Sequence, residues 1–162
     1  MIKFDGFWSI FYTNIHKGIL IAAESPSTMC SYSGNLVGLG SNEYVLLIDR
    51  GVCTFYKKIE TALWGNNEYD NNVIGAIIGN TNKLKNKNNV FTMGSDDNKK
   101  SMNILSFMIN KISYDALKKC VNEIEDEKDR VIEMVQILTR CKENNNGDVN
   151  VYFIKFNWNE TK

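Results

Sequence analysis

The stretch Tyr44 to Trp64, YVLLIDRGVCTFYKKIETALW, constrains this chain most. Tyr44 to Ile48 is an apolar, β-branched run with the length of a buried strand, and Asp49, Arg50 and Gly51 end it with charge and a flexible residue. Thr54 then stands at a helix N-cap position, where its hydroxyl accepts a bond from an orphan backbone N–H. Phe55, Ile59, Ala62 and Leu63 follow at helical spacing. The piece reads as strand, tight turn, helix.

Val73 to Ile78 supplies a second strand, apolar on both faces. An apolar strand, a helix and another apolar strand are what a parallel β-α-β crossover in a covered sheet requires. Asn103 to Ile109 reads as a third buried strand, followed by a helix capped by Ser113 that carries Ala116, Leu117, Cys120, Val121 and Ile124. Residues 126–142 present Val131, Met134, Val135, Leu138 and Cys141 at i, i+3, i+4, i+7 and i+10, which predicts an additional amphipathic helix. Val149 to Trp158 is rich in β-branched and aromatic residues and reads as a final strand. Ahead of these, Ile2 to Tyr12 and Gly18 to Ala23 are expected to form two strands joined by a turn at Lys17-Gly18. Glu24 to Gly40 reads as a loop. Residues 66–72 and 81–100 are polar, asparagine-rich surface insertions, and the single His16 flanks the first turn.

At 162 residues the chain is expected to be one domain, 1–162, with 43% apolar and 23% charged residues, as in ordinary globular proteins. The 19 basic and 19 acidic side chains cancel, which argues against a dedicated nucleic-acid surface. The basic cluster Lys83, Lys85 and Lys87 lacks aromatic neighbours for base stacking and reads as a solvated loop. No run approaches the roughly 20 apolar residues of a membrane span, so no membrane contact by this segment is expected. Ile19 to Ala23 is too short for a secretory signal.

Cys30, Cys53, Cys120 and Cys141 are widely spaced, with one histidine and no C-x-x-C pair, so no metal site is expected. They form either two disulfides, in one of three connectivities, or four buried thiols. Pairing within each half, Cys30 with Cys53 and Cys120 with Cys141, is favoured. Cys53 beside Arg50 also permits a different reading, a small cysteine-dependent hydrolase with His16 as base. Asp96 and Asp97 lack the alternating ligand spacing of a calcium loop. Gly38 and Gly40 follow no strand and precede no suitably placed lysine, so they do not form a nucleotide loop. Asn159-Glu160-Thr161 is a glycosylation sequon, which makes Asn159 a candidate acceptor in a lumenal chain.

Arg50-Gly51-Val52-Cys53-Thr54-Phe55 with Lys58 and Ala62 resembles the R-G-x-C-x-F-x-x-K-x-x-x-A signature of the protease-associated (PA) domain family. Val73 to Asn80, VIGAIIGN, is similar to the family's apolar strand ending in asparagine. Met93-Gly94-Ser95-Asp96-Asp97 and Ile104 to Ile109 are similar to a following loop and strand, and Cys30 stands where many secretory-pathway members carry a cysteine. The resemblance covers about residues 2–124 and returns at the last strand. Leu105 replaces the usual proline, residues 65–72 interrupt a normally direct connection, and 126–142 is an addition.

The resemblance implies an α/β fold, a curled mixed β-sheet or open barrel flanked by helices, here with an extra C-terminal helix. It also implies a non-catalytic module of the secretory-pathway lumen or cell exterior, one that binds a peptide or protein, or gates a linked protease or ligase, without a cofactor. Any signal or membrane anchor is expected outside this piece. Candidate ligand-contact residues are Arg50, Gly51, Thr54, Leu105 and Ser106. Arg50 either pairs with a ligand carboxylate or fixes the turn by bonding local carbonyls, the second being favoured. Phe55 and Lys58 are expected to serve helix docking and stem packing.

Overall fold

Six strands share one mixed sheet in the order β4-β3-β2-β1-β5-β6, with two helices among the described residues. The computed structural model describes residues 8–81, 104–141 and 148–156. The strands are β1 (Trp8–Ala22), β2 (Glu43–Asp49), β3 (Asn72–Gly79), β4 (Leu105–Ile109), β5 (Val131–Cys141) and β6 (Asp148–Phe156); the helices are α1 (Phe55–Tyr69) and α2 (Lys111–Glu123). The strands β1 to β4 run parallel in sequential order, while β5 and β6 pair antiparallel beyond β1.

The apolar runs that predicted buried strands are buried because both faces of the parallel region are covered. Alternation divides β2 between two cores. Tyr44, Leu46 and Ile48 join Ile59 and Ala62 of α1, while Val45 and Leu47 join Tyr114 and Leu117 of α2. Burial of the 0–1% exposed run Tyr44 to Ile48 contributes about 1.5–3 kcal/mol per large side chain. In β3 the register slips at Ile74, so that Tyr44 faces Val73 and Val45 faces Gly75. The slip restores the alternation, returning Ala76 and Ile78 to the α1 side and Ile77 to the α2 side.

The crossover from β1 to β2 carries no α-helix. Its loop packs Met29 and Leu36, almost fully buried, into the core on the α1 side and so covers sheet that a helix would otherwise cover. One 3-10 turn, Gly34–Leu36, interrupts it. Asn71 pins the loop, donating to the Leu36 carbonyl at 2.6 Å and the Tyr32 hydroxyl at 2.7 Å, and accepting from the Leu39 N–H at 3.0 Å.

Four expectations are corrected. Lys17-Gly18 is not a turn: β1 runs through it as one strand, and Gly18 is there for close approach, since a Cβ would lie 3.0 Å from the Glu43 carbonyl oxygen and 3.1 Å from Val45. Residues 66–72 are not an insertion. Residues 66–69 complete α1, Asp70 is its left-handed C-cap and Asn72 opens β3; the Asn66 amide donates to the Val73 carbonyl and accepts from the Val73 N–H at 3.0 and 2.9 Å. Ser113 is not the cap of α2; Asn110 is, accepting from the Ser113 N–H at 2.8 Å.

The largest correction concerns 126–142, whose described residues, 126–141, contain no α-helix. Asp126 caps a 3-10 turn, Glu127–Asp129, and Val131–Cys141 is β5. The apolar positions of this run fit a helical template, yet Val131, Ile132, Val135, Ile137 and Thr139 are β-branched, and β1 offers a matching open edge. Arg130 marks the changeover, donating to the carbonyls of Val121 and Ile124 at the end of α2 at 3.0 and 3.4 Å.

Candidate functional site

The carboxyl ends of β2, β3 and β4 lie level, Asp49 beside Gly79 and Gly79 beside Ile109. Ladder bonds continue one residue past the strands, from the Arg50 N–H to the Gly79 carbonyl and from the Asn80 N–H to the Ile109 carbonyl, both at 3.0 Å. Crevices outside the carboxyl ends of parallel strands are the usual ligand positions of open α/β sheets.

The turn between β2 and α1 is tightly wound. Gly51 has φ 99° and Val52 has φ 71°, while the Cys53 N–H donates to the Gly51 carbonyl at 2.9 Å. A bond spanning two residues around a central positive φ is a strained γ-turn, and β-branched side chains rarely adopt that conformation. Val52 is nonetheless 90% exposed.

Three attachments hold the turn. Cys53 is bonded to Cys30. The Thr54 hydroxyl accepts from the Lys57 N–H at 3.1 Å and starts α1 as its N-cap. Lys58, fully buried, donates its ammonium to the Thr28 carbonyl at 2.6 Å and the Gly51 carbonyl at 2.7 Å, with Cys30 Sγ at 3.7 Å. Burial pushes the Lys58 pKa down to about 8, against the opposing attraction of Asp49. Its carbon stem packs as expected, but its charged head is the working part: it joins loop to turn. No local sequence signal reveals this, because Thr28 is 30 residues away.

Asp49 anchors the same loop, accepting from the Ser27 hydroxyl at 2.6 Å while its N–H donates to the Ser27 carbonyl at 2.9 Å. Lys118 of α2 lies 3.9 Å from the other carboxylate oxygen, a charge contact beyond hydrogen-bond reach. Arg50 Nη1 donates to Oδ1 of the buried Asn80 at 3.4 Å, a side chain 30 residues along the chain rather than a local carbonyl. Asn80 thereby belongs to this end of the sheet, and the asparagine closing VIGAIIGN was its signal.

Of the expected ligand contacts, Arg50, Gly51 and Thr54 lie together on this turn. Leu105 and Ser106 do not join them. Ser106 pairs with Ala76, three residues before Gly79, so it lies about 10 Å back along the sheet, and Leu105 lies one residue further. Phe55 docks against the core as expected. Asn159, Asp96, Asp97, and the 81–100 segment apart from Thr81, lie outside the described residues.

The pairing of Cys120 with Cys141 is corrected. Cys120 is a free, buried thiol on α2, its pKa raised by burial. Cys141 ends β5 beside Trp8, ten residues from the Val131 end that lies near α2, or about 33 Å along the strand. A Cys53 and His16 dyad does not fit either. Cys53 is bonded to Cys30, and His16 precedes Ala22, the partner of Leu47, by six residues, placing it about 26 Å along the sheet from the level of Asp49. Among the described residues no three His, Cys, Asp or Glu side chains gather as metal ligands. No helix there is long and apolar enough to cross a membrane. No protein-family profile matches this chain, and no curated protein matches it.

Proposed function

We propose that the chain is a PA-like, non-catalytic module of a secretory-pathway protein that binds an extended peptide or protein segment at the turn Arg50 to Thr54. One observation carries this reading: an exposed valine held at positive φ on a turn clamped by a disulfide and a buried lysine. Such strain costs on the order of 1–3 kcal/mol and persists where the surroundings impose it, a pattern common at binding sites. The bridge also favours an oxidising compartment. Cargo recognition and gating of a linked protease or ligase are the two roles this binding serves.

The test is selection of extended peptides from a displayed library against the folded domain, followed by calorimetric titration. Peptides are expected to bind without being cleaved. Val52→Gly and Arg50→Ala each weaken binding at least tenfold, about 1.4 kcal/mol. Affinities unchanged in both variants, or the absence of any binder, would reject the turn as the site.

A further inference from the structure

The two sulfurs of the bridge are not equivalent. An ammonium has three protons, and those of Lys58 have three acceptors: the carbonyls of Thr28 and Gly51, and Sγ of Cys30 at 3.7 Å. Cys30 therefore stands beside a fully buried cation. Cys53, half-buried as Cys30 is, has no such neighbour at its sulfur among the described residues and sits on the turn between the exposed residues Val52 and Thr54. A neighbouring cation lowers a thiol's pKa, and in thiol-disulfide exchange the lower-pKa thiolate leaves faster.

We propose that Cys30–Cys53 is a thiol-exchange site, opened by an external dithiol whose thiolate attacks Sγ of Cys53 while Cys30 leaves as a thiolate paired with Lys58. The incoming sulfur bonds to Cys53, the Cys30–Cys53 bond breaks, and its electron pair goes to Cys30. The reagent's second thiolate then attacks its own sulfur in the mixed disulfide and releases the Cys53 thiolate, which takes up a proton. The dithiol loses two electrons and becomes a disulfide; the bridge gains them and becomes the Cys53 thiol and the Cys30 thiolate.

Lys58 also holds Thr28 on one side of the bridge and Gly51 on the other. The two halves stay adjacent once the covalent bond is open, so the cycle is reversible. What opening frees is Cys53 on the far side of the turn, while Lys58 keeps Gly51 and Thr28 in place. The inference stands whether or not that turn binds a peptide.

The folded protein is treated with the monothiol glutathione, quenched with an alkylating agent and mapped by mass spectrometry. Glutathione is expected on Cys53 and the alkyl label on Cys30, in at least tenfold excess over the reverse. An even distribution, glutathione mainly on Cys30, or no opening until the protein is unfolded would overturn the proposal. In a Lys58→Met variant that folds, opening by dithiothreitol at pH 7 slows about tenfold; an unchanged rate would equally overturn it. Should that variant not fold, the mapping of the unmutated protein decides alone.

Discussion

The ring of Tyr32 lies against the backbone of Gly65, so closely that a Cβ on Gly65 would fall 1.9 Å from the Tyr32 ring. Tyr32 in turn stacks on Tyr69 at 5.1 Å and meets Trp64 edge-on at 5.5 Å. In a free-standing helix, replacing an interior glycine by alanine stabilises by about 1 kcal/mol. Here the sign reverses. Gly65→Ala is expected to destabilise by about 1–3 kcal/mol, because Tyr32 must move and its hydroxyl must leave Leu36 and Asn71. Chemical denaturation measures the change, and a gain in stability would show that the loop does not pack on α1 this way.

Lys58 makes stability depend on alkaline pH. Its folded pKa is lowered to about 8 from 10.5, so between those values the unfolded chain holds a proton that the folded chain has lost. Unfolding then takes up protons, and stability rises with pH across that window by about 3 kcal/mol. Urea unfolding at pH 7.5 and pH 10.5 is expected to show this increment in the unmutated protein and none of it in Lys58→Met. An equal pH response in both proteins would assign the effect to other groups.

The bridge closes a loop with a sequence separation of 23 residues. Chain-entropy estimates give such a closure about 3 kcal/mol. The double variant Cys30→Ala with Cys53→Ala is expected to lose about that much in equilibrium unfolding, while reduction of the unmutated protein gives a similar loss. A loss below about 1 kcal/mol would mean that Lys58 and Ser27 hold the loop without it.

Asn71 serves three groups from one buried amide. Asn71→Ala takes the side-chain acceptor from the Leu39 N–H and one of two donors from the Leu36 carbonyl, and is expected to cost about 2 kcal/mol, read from the denaturant midpoint.

Val52→Gly is expected to do the opposite. Removing a β-branched side chain from φ 71° relieves strain, offset in part by the freer unfolded chain, for a net gain of about 1 kcal/mol in thermal or denaturant unfolding. A variant that is more stable but binds peptide less well would separate the role of Val52 in binding from any role in folding.

The parallel region was legible in the sequence because a strand covered on both faces must be apolar throughout, as in Tyr44 to Ile48 and Val73 to Ile78. Thr54 announced α1 for an equally local reason. What local patterns did not reveal depends on partners far along the chain. Gly18 looks like a turn until β2 is laid against it, and the apolar stripe of Val131 to Cys141 looks helical until β1 offers it an edge. At the site, Arg50, Cys53 and Thr54 were marked by their spacing. The charged head of Lys58 was not, since one of its acceptors, the Thr28 carbonyl, comes from a loop whose path is set by Asn71 and the bridge.

The position of β1 inside the sheet also governs how the fold is reached. Its far side waits for β5, which begins at Val131, more than a hundred residues after β1 ends at Ala22. During synthesis, β2, α1, β3 and β4 can assemble on the Ile19 to Ala22 end of β1 while its other edge is still open to neighbouring chains. Pairings between such distant segments form slowly, and an open strand edge is prone to association. Until β5 pairs with it, that edge is open to association, which competes with folding.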